Sequence, residues 1–306
     1  MDRREFLRLA GGGALSVTLI RTLAGCGISG RDPENIPKAF AALADRFAGD
    51  EPGLQLFLGG QEYLANDTNR ITMRIEDRES RQIESLHPSL WFSSRGRVHG
   101  PLHLGLERFA PRTSSPQEGD PTSFYVGAID LVAPGIVDLA VEVVVAGRKK
   151  VGFTALQALA GGRVPGIGQP AVSTPTPVAT DPGGLQGICT RIPGCPCHES
   201  SLEAALTSGK PVVFIVASPR LCKSRVCGPV LEEVLATRET HGDRAIFIHA
   251  EPYRDDSATT ISAPASAWQL DSEPWTWVID SDGVIKARFE GPVIAHELSS
   301  ALDEVV

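Results

Sequence analysis

The sequence predicts two unlike units in series, an all-β sandwich followed by an α/β domain. Three observations carry this. Between residues 50 and 159, apolar residues recur at every second position, the period of half-buried strands. Residues 160–184, AGGRVPGIGQPAVSTPTPVATDPGG, lose all periodicity and are dominated by Pro, Gly, Ser and Thr. Beyond them, strand-like and helix-like segments alternate, as in an α/β layout. A chain of 306 residues is long enough for two such domains.

In the first unit, residues 70–76 read RITMRIE, with Ile71, Met73 and Ile75 on one face. Val137, Leu139, Val141, Val143 and Val145 likewise share a face, and Asp138 and Glu142 take the other. The runs 123–131 and 136–145 flank Ala133-Pro134-Gly135 as two strands around a turn. Short strands between turn clusters resemble a sandwich of immunoglobulin type, and no motif in this unit carries chemistry. In the second unit, strands are expected at 212–217, 244–250, 275–280 and 284–290. Helices are expected at 200–206, 226–239, 263–270 and 295–305, with a hairpin turn at Asp282-Gly283.

The first 26 residues read as a targeting segment. Arg3-Arg4 followed by Glu5-Phe6-Leu7-Arg8 resembles a twin-arginine export signal, and residues 9–20 supply a short apolar region. Leu23-Ala24-Gly25-Cys26 matches the lipobox of bacterial lipoproteins, which implies cleavage before Cys26 and lipid on that cysteine. The expected division is a signal peptide at 1–26, a tether at 27–49, a β-sandwich at 50–159, a linker at 160–186 and an α/β domain at 187–306. The expected location is the outer face of the cytoplasmic membrane, held there through lipid on Cys26. No run of eighteen apolar residues predicts a membrane-spanning helix. A formal charge of −8 excludes nucleic-acid binding through bulk charge.

With Cys26 set aside, Cys189, Cys195, Cys197, Cys222 and Cys227 remain, all in the last third of the chain. An exported chain lies where disulfides persist. Cys222 and Cys227 follow the strand at 212–217 and precede the main helix. This order resembles the thioredoxin superfamily over residues 199–306, and most closely exported thioredoxin-like lipoproteins that join a β-sandwich to a redoxin domain. The resemblance implies a thiol–disulfide oxidoreductase. Cys222 is its nucleophile, Cys227 its resolving cysteine, and Pro274, in Ser272-Glu273-Pro274-Trp275, the cis-proline of the substrate loop. Its implied partners are extracytoplasmic thiol or disulfide proteins, and it needs no cofactor beyond the dithiol. Two departures stand out: Trp-Cys-Gly-Pro-Cys is absent, and residues 212–217 contain no acid to serve as the family's buried proton acceptor.

The spacing Cys-x4-Cys sets a geometric condition. Five residues of regular helix separate two Cα atoms by about 7.5 Å along the axis. A disulfide spans roughly 4.4–6.8 Å. Cys222 must therefore precede the first helical turn. Pro219 discourages an earlier helix start, and Pro229 either opens a new helix at its first position after Gly228 or kinks a continuing one. Lys223, Arg225 and a helix N-terminus are expected to favour the Cys222 thiolate.

Residues 187–199 hold a second cluster, GICTRIPGCPCHE. Cys189 and Cys195 are expected to form a structural disulfide, leaving Cys197 over. The competing reading is a metal site for Cu(I) or Zn(II) built from thiolates and an imidazole. Under it Cys197, His198 and His249 are the candidate ligands, and the protein is a copper-binding or metal-delivery protein without turnover. The four-residue spacing also resembles that of some atypical peroxiredoxins, which leaves a thiol peroxidase as the remaining alternative, although Pro219 and Ile215 stand where that family has Ser or Thr and Pro. Trp275 and Trp277 are read as packing, and His249 and His296, taken singly, receive no catalytic role.

Overall fold

The computed structural model of the protein describes residues 36–47 and 51–306, apart from Leu86 and Gln186. The export signal at Arg3 and Arg4 and the lipid-bearing Cys26 lie outside the described residues. Ten strands come first: β1 (Glu51–Pro52), β2 (Gln55–Leu58), β3 (Tyr63–Leu64), β4 (Asp67–Glu76), β5 (Ser89–Ser94), β6 (Arg97–His103), β7 (Gly105–Arg108), β8 (Ser123–Leu131), β9 (Gly135–Val145) and β10 (Arg148–Leu159). They form two sheets, ordered β1-β10-β9-β5-β6, with β3 also on β10, and β2-β4-β8-β7. Pairing is antiparallel except for β1 and β3, which run parallel to β10.

The two sheets share one core. Ile71, Met73 and Ile75 of β4 meet Val137, Leu139, Val141 and Val143 of β9 in a single buried cluster, as the period-two alternation implies. The other face of β9 and β10 is also covered. Residues 38–47, expected as part of a tether, form a 3-10 turn (Lys38–Leu43) and α1 (Ala44–Phe47) instead. Phe40 and Phe47 pack there on Trp91 and Phe153. Burying these rings on a sheet that would otherwise expose Trp91 and Phe153 explains why this segment is not a free tether.

The second unit contains α2 (Leu202–Leu206), β11 (Val212–Val216), α3 (Cys227–His241), β12 (Ile246–Ala250), α4 (Ala263–Ala267), β13 (Trp275–Ile279), β14 (Ile285–Glu290) and α5 (Ala295–Asp303). The sheet order is β12-β11-β13-β14, with β11 parallel to β12 and the β13–β14 hairpin antiparallel. All five residues of both β11 and β13 are buried, because both faces of the sheet are covered. Val213 and Ile215 meet Val230 and Val234 of α3 and Leu298 and Leu302 of α5. Val212, Phe214 and Val216 meet Trp268, Trp275 and Trp277 on the opposite face. Trp275 and Trp277 stack at 5.6 Å within this core, the packing role expected of them.

Residues 160–185 have no helix and only isolated bridges. They are nonetheless pinned along the second unit. Gly168 N–H donates to Ile285 O (2.8 Å), Ile285 N–H to Gln169 O (2.9 Å) and Ala171 N–H to Gly283 O (2.8 Å). The Trp268 and Trp277 indole N–H groups donate to Val172 O and Pro165 O. Buried indole N–H groups and the open side of β14 need partners, and this aperiodic segment supplies them.

Ion pairs and carboxylate caps join the two units. Arg70 of β4 forms a bidentate pair with Glu297 of α5 at 2.8 and 2.7 Å. Glu233 accepts from the N–H groups of Ala110 (2.6 Å) and Ala295 (2.9 Å). Its neighbour Glu232 accepts from Thr113 N–H, the Thr113 hydroxyl and Arg191 Nε, the last at 2.9 Å. Arg191 and Glu232 are only 6% and 5% exposed. Burial pushes the Glu232 carboxyl up, but hydrogen bonds from Arg191, Ser114 and Thr113 outweigh it and hold the group at about 2, against 4.5 when unpaired. A depressed carboxyl contributes stability that is complete above the unfolded value and lost as pH falls through the folded one. The protein is therefore expected to lose stability between pH 4.5 and about 2, read as urea midpoints across pH. Arg191→Ala, which strands the buried Glu232 charge, should cost about 3–5 kcal/mol at neutral pH in the same assay.

Candidate functional site

After β11 the chain leaves the sheet through Ala217, Ser218 and Pro219 and turns before α3 begins at Cys227. Cys222 sits in this turn. Its N–H donates to Ser218 O (3.1 Å), and its carbonyl accepts from Arg225 N–H (3.2 Å). Arg225 has φ +62°, a left-handed conformation that reverses the chain. Cys222 thus precedes the helix and Cys227 is its first residue, which meets the geometric condition set by the spacing. Pro229 is the third residue of α3, two places later than expected for an opening proline. It falls within the first turn, where a backbone N–H has no helical acceptor to lose.

Cys222 Sγ, Cys227 Sγ and a Glu273 carboxylate oxygen all lie within 4.8 Å of one another. Both cysteines are free and buried. Cys222 Sγ is 3.1 Å from Ser224 Oγ, and Cys227 Sγ stands 3.4 Å from Glu273 Oε2. The same Oε2 accepts Ser218 N–H at 2.8 Å. The Glu273–Pro274 peptide bond is cis, as expected at Pro274.

Burial alone would raise the Cys222 thiol. Hydrogen bonds from the Cys227 thiol, the Ser224 hydroxyl and the N–H groups of Cys227 and Ser224 overcome it and bring the group down to about 7. One of those donors is the first N–H of α3, so the expected helix N-terminus contributes. Arg225, expected to favour the thiolate by charge, instead reaches across to Gln117 of the first unit. Cys227 is pushed well up by burial and by its donation to Cys222. Glu273 is also pushed well up, by burial first and then by the charge on Cys222.

Glu273 brings a buried carboxyl to the two cysteines. It reaches the dithiol from the loop before β13 rather than from β11. The available signal was its place directly before the expected cis-proline, in the otherwise apolar SEPWTWVI. The first unit also builds part of this site. Phe57, Phe109 and Phe124 line an apolar pocket whose other wall is Ser224, Val226 and Pro274. Gln117 Nε2 donates to Pro219 O at the start of the cysteine turn. A Cβ at Gly228 would lie 2.5 Å from the Arg112 guanidinium, so glycine there permits the close approach.

The second cluster is gathered against β12. His249, 0% exposed, donates Nε2–H to Ala217 O at 2.8 Å. Its Nδ1 faces Cys195 Sγ at 3.4 Å, Cys189 Sγ at 3.7 Å and His198 Nε2 at 3.3 Å. Cys189 and Cys195 were expected to be bonded, but their sulfurs stand 3.8 Å apart and both cysteines are free. Both sulfurs also lie against Nδ1 of His249. Cys197 is buried next to Cys195 yet falls outside this group, contrary to its place among the candidate metal ligands. His249 has become the hub of the cluster instead of an isolated residue. His296 is exposed on α5 and takes no part.

No family model and no curated protein matches the chain. Two solved structures show partial likeness. One is a DsbF homologue from Corynebacterium diphtheriae, at 22% identity over 35% of this chain and 78% of that one, with a TM-score of 0.28. The other is a thiol:disulfide interchange protein of the thioredoxin family from Chlorobium tepidum, at 14% identity over 44% of this chain and 99% of that one, with a TM-score of 0.27.

With Cys222 ionising at about 7, its alkylation by iodoacetamide should rise through a midpoint near pH 7 and level off above it. Ser224→Ala removes one of the lowering hydrogen bonds and should move that midpoint toward the ordinary thiol value. Mass-spectrometric counting of modified Cys222 against pH checks both.

Proposed function

We propose that the protein is a thiol–disulfide oxidoreductase acting through Cys222 and Cys227. The observation that supports it best is the asymmetry of the pair: one thiol is lowered to about 7 and the other raised, beside a buried carboxyl and a cis-proline. In the reducing direction, the Cys222 thiolate attacks one sulfur of a substrate disulfide and the other sulfur leaves as a thiolate. The Cys222 charge is thereby consumed, which removes one of the three influences that hold Glu273 protonated, leaving burial and the charge of Glu251. Glu273 then releases its proton toward the leaving thiolate, and its carboxylate accepts the proton of Cys227 along the existing 3.4 Å contact. The Cys227 thiolate attacks Cys222, closing the disulfide and releasing the second substrate sulfur as a thiolate, which takes its proton from solvent. The oxidising direction reverses these steps.

The pocket beside Pro274 suits an extended substrate segment with an apolar side chain, which would rest on Phe57, Phe109 and Phe124. The N-terminal signal and lipobox motifs support a lipid-anchored location outside the cytoplasm, where the substrates are thiol or disulfide proteins. Reduction of insulin disulfides in a dithiol buffer tests the activity. Cys222→Ser should abolish it, Cys227→Ser should accumulate a mixed disulfide at Cys222, and Glu273→Gln should slow resolution by about a hundred-fold. Indifference of both native cysteines to reductant and to dithiol substrates would overturn the reading.

A further inference from the structure

The group around His249 lies outside the dithiol chemistry, and four of its distances match those of a tetrahedral coordination shell. Zinc bound by sulfur at about 2.3 Å and nitrogen at about 2.0 Å in a tetrahedron sets S–S at about 3.8 Å, S–N at about 3.5 Å and N–N at about 3.3 Å. The protein has Cys189–Cys195 at 3.8 Å, Cys195–His249 at 3.4 Å, Cys189–His249 at 3.7 Å and His198–His249 at 3.3 Å. All four ligand atoms lie within 4.8 Å of one another.

Hydrogen bonding alone does not account for this convergence. Nδ1 of His249 offers one in-plane position, a lone pair or a proton, yet three groups crowd it. The far side of the ring is already engaged, because Nε2–H donates to Ala217 O. Metal-bound imidazoles use their second nitrogen in this way, and the bond fixes which nitrogen faces the ion.

We propose that Cys189, Cys195, His198 and His249 form a structural zinc(II) site. A tetrahedral S2N2 set favours zinc among the common divalent ions. Two thiolates neutralise the dication, which suits a cluster where Cys195, His198 and His249 are 8%, 5% and 0% exposed. Four protein ligands leave no open position, the mark of a structural rather than a catalytic site. The ion ties loop 187–199 to β12, and through Ala217 to the strand end that carries the dithiol turn. Cys195-Pro196-Cys197 supplies a single ligand, Cys195. The fourth ligand comes from a strand 54 residues beyond Cys195.

The test is metal analysis of the full chain, produced and purified with zinc in the medium. About one equivalent of zinc per chain is expected in the native protein and in Cys222→Ser, and none in Cys189→Ser or His249→Gln. Should those variants fail to fold, the native protein suffices. Zinc should shield Cys189 and Cys195 from alkylation, a chelator should expose both, and Co(II) replacement should give a tetrahedral thiolate spectrum. A metal-free native protein, a Cys189–Cys195 disulfide, or loss of the metal in Cys222→Ser would each overturn the site. Copper(I) retained at these four residues in place of zinc would overturn the choice of metal.

Discussion

Two consecutive residues, Ala217 and Ser218, carry the constraint on which the rest of the site depends. They lie where a fully buried strand leaves its sheet, so each of their backbone groups must find a partner inside the protein. Ala217 N–H donates to Ala250 O, and Ala217 O accepts from His249 Nε2. Ser218 N–H donates to Glu273 Oε2, and Ser218 O accepts from Cys222 N–H. Four obligatory hydrogen bonds thus orient the imidazole of the second cluster, the carboxyl beside Cys227 and the start of the turn that carries Cys222. The Ser218 hydroxyl adds a contact to Thr190 at 3.3 Å, within the loop of the second cluster. The dithiol and the Cys2His2 group therefore share one backbone support.

The sandwich is a working wall of this site. Glu232 and Glu233, on a face of α3 that would otherwise be apolar, accept the N–H groups of residues 110 and 113. Those bonds hold the 109–121 segment over the start of α3, and Phe109 thereby joins the pocket beside Pro274. Buried carboxylates without such partners would be costly, so the pairing of the two units and the acids on α3 require each other. Sandwich and α/β unit meet as a single arrangement of donors and acceptors.

Much of the fold was legible in the residues. The two-residue period at 137–143 and the burial of 212–216 follow from local pattern, because a strand's side chains alternate whatever it packs against. The order of strands and helices after residue 199 was equally readable. So was the need for Cys222 to stand outside the helix, since helix rise and disulfide length are local quantities. The helical cover at 38–47 was not readable, because Phe40 and Phe47 have a partner only once β5 and β10 present Trp91 and Phe153.

What the sequence by itself determined is the dithiol: two cysteines between a strand and a helix, and a proline before β13 for them to face. What only the tertiary structure decided is the company they keep. Glu273 reaches Cys227 across 46 residues, and His249 reaches Cys195 across 54. The sandwich's Gln117 reaches Pro219 across 102. Hydrogen bonds and coordination depend on distance in space, and sequence spacing reports that distance only within one helix, strand or turn. Cys189 and Cys195, six residues apart, looked like a disulfide for that reason. A histidine from another strand, fixed by a buried carbonyl, gave both sulfurs a different neighbour.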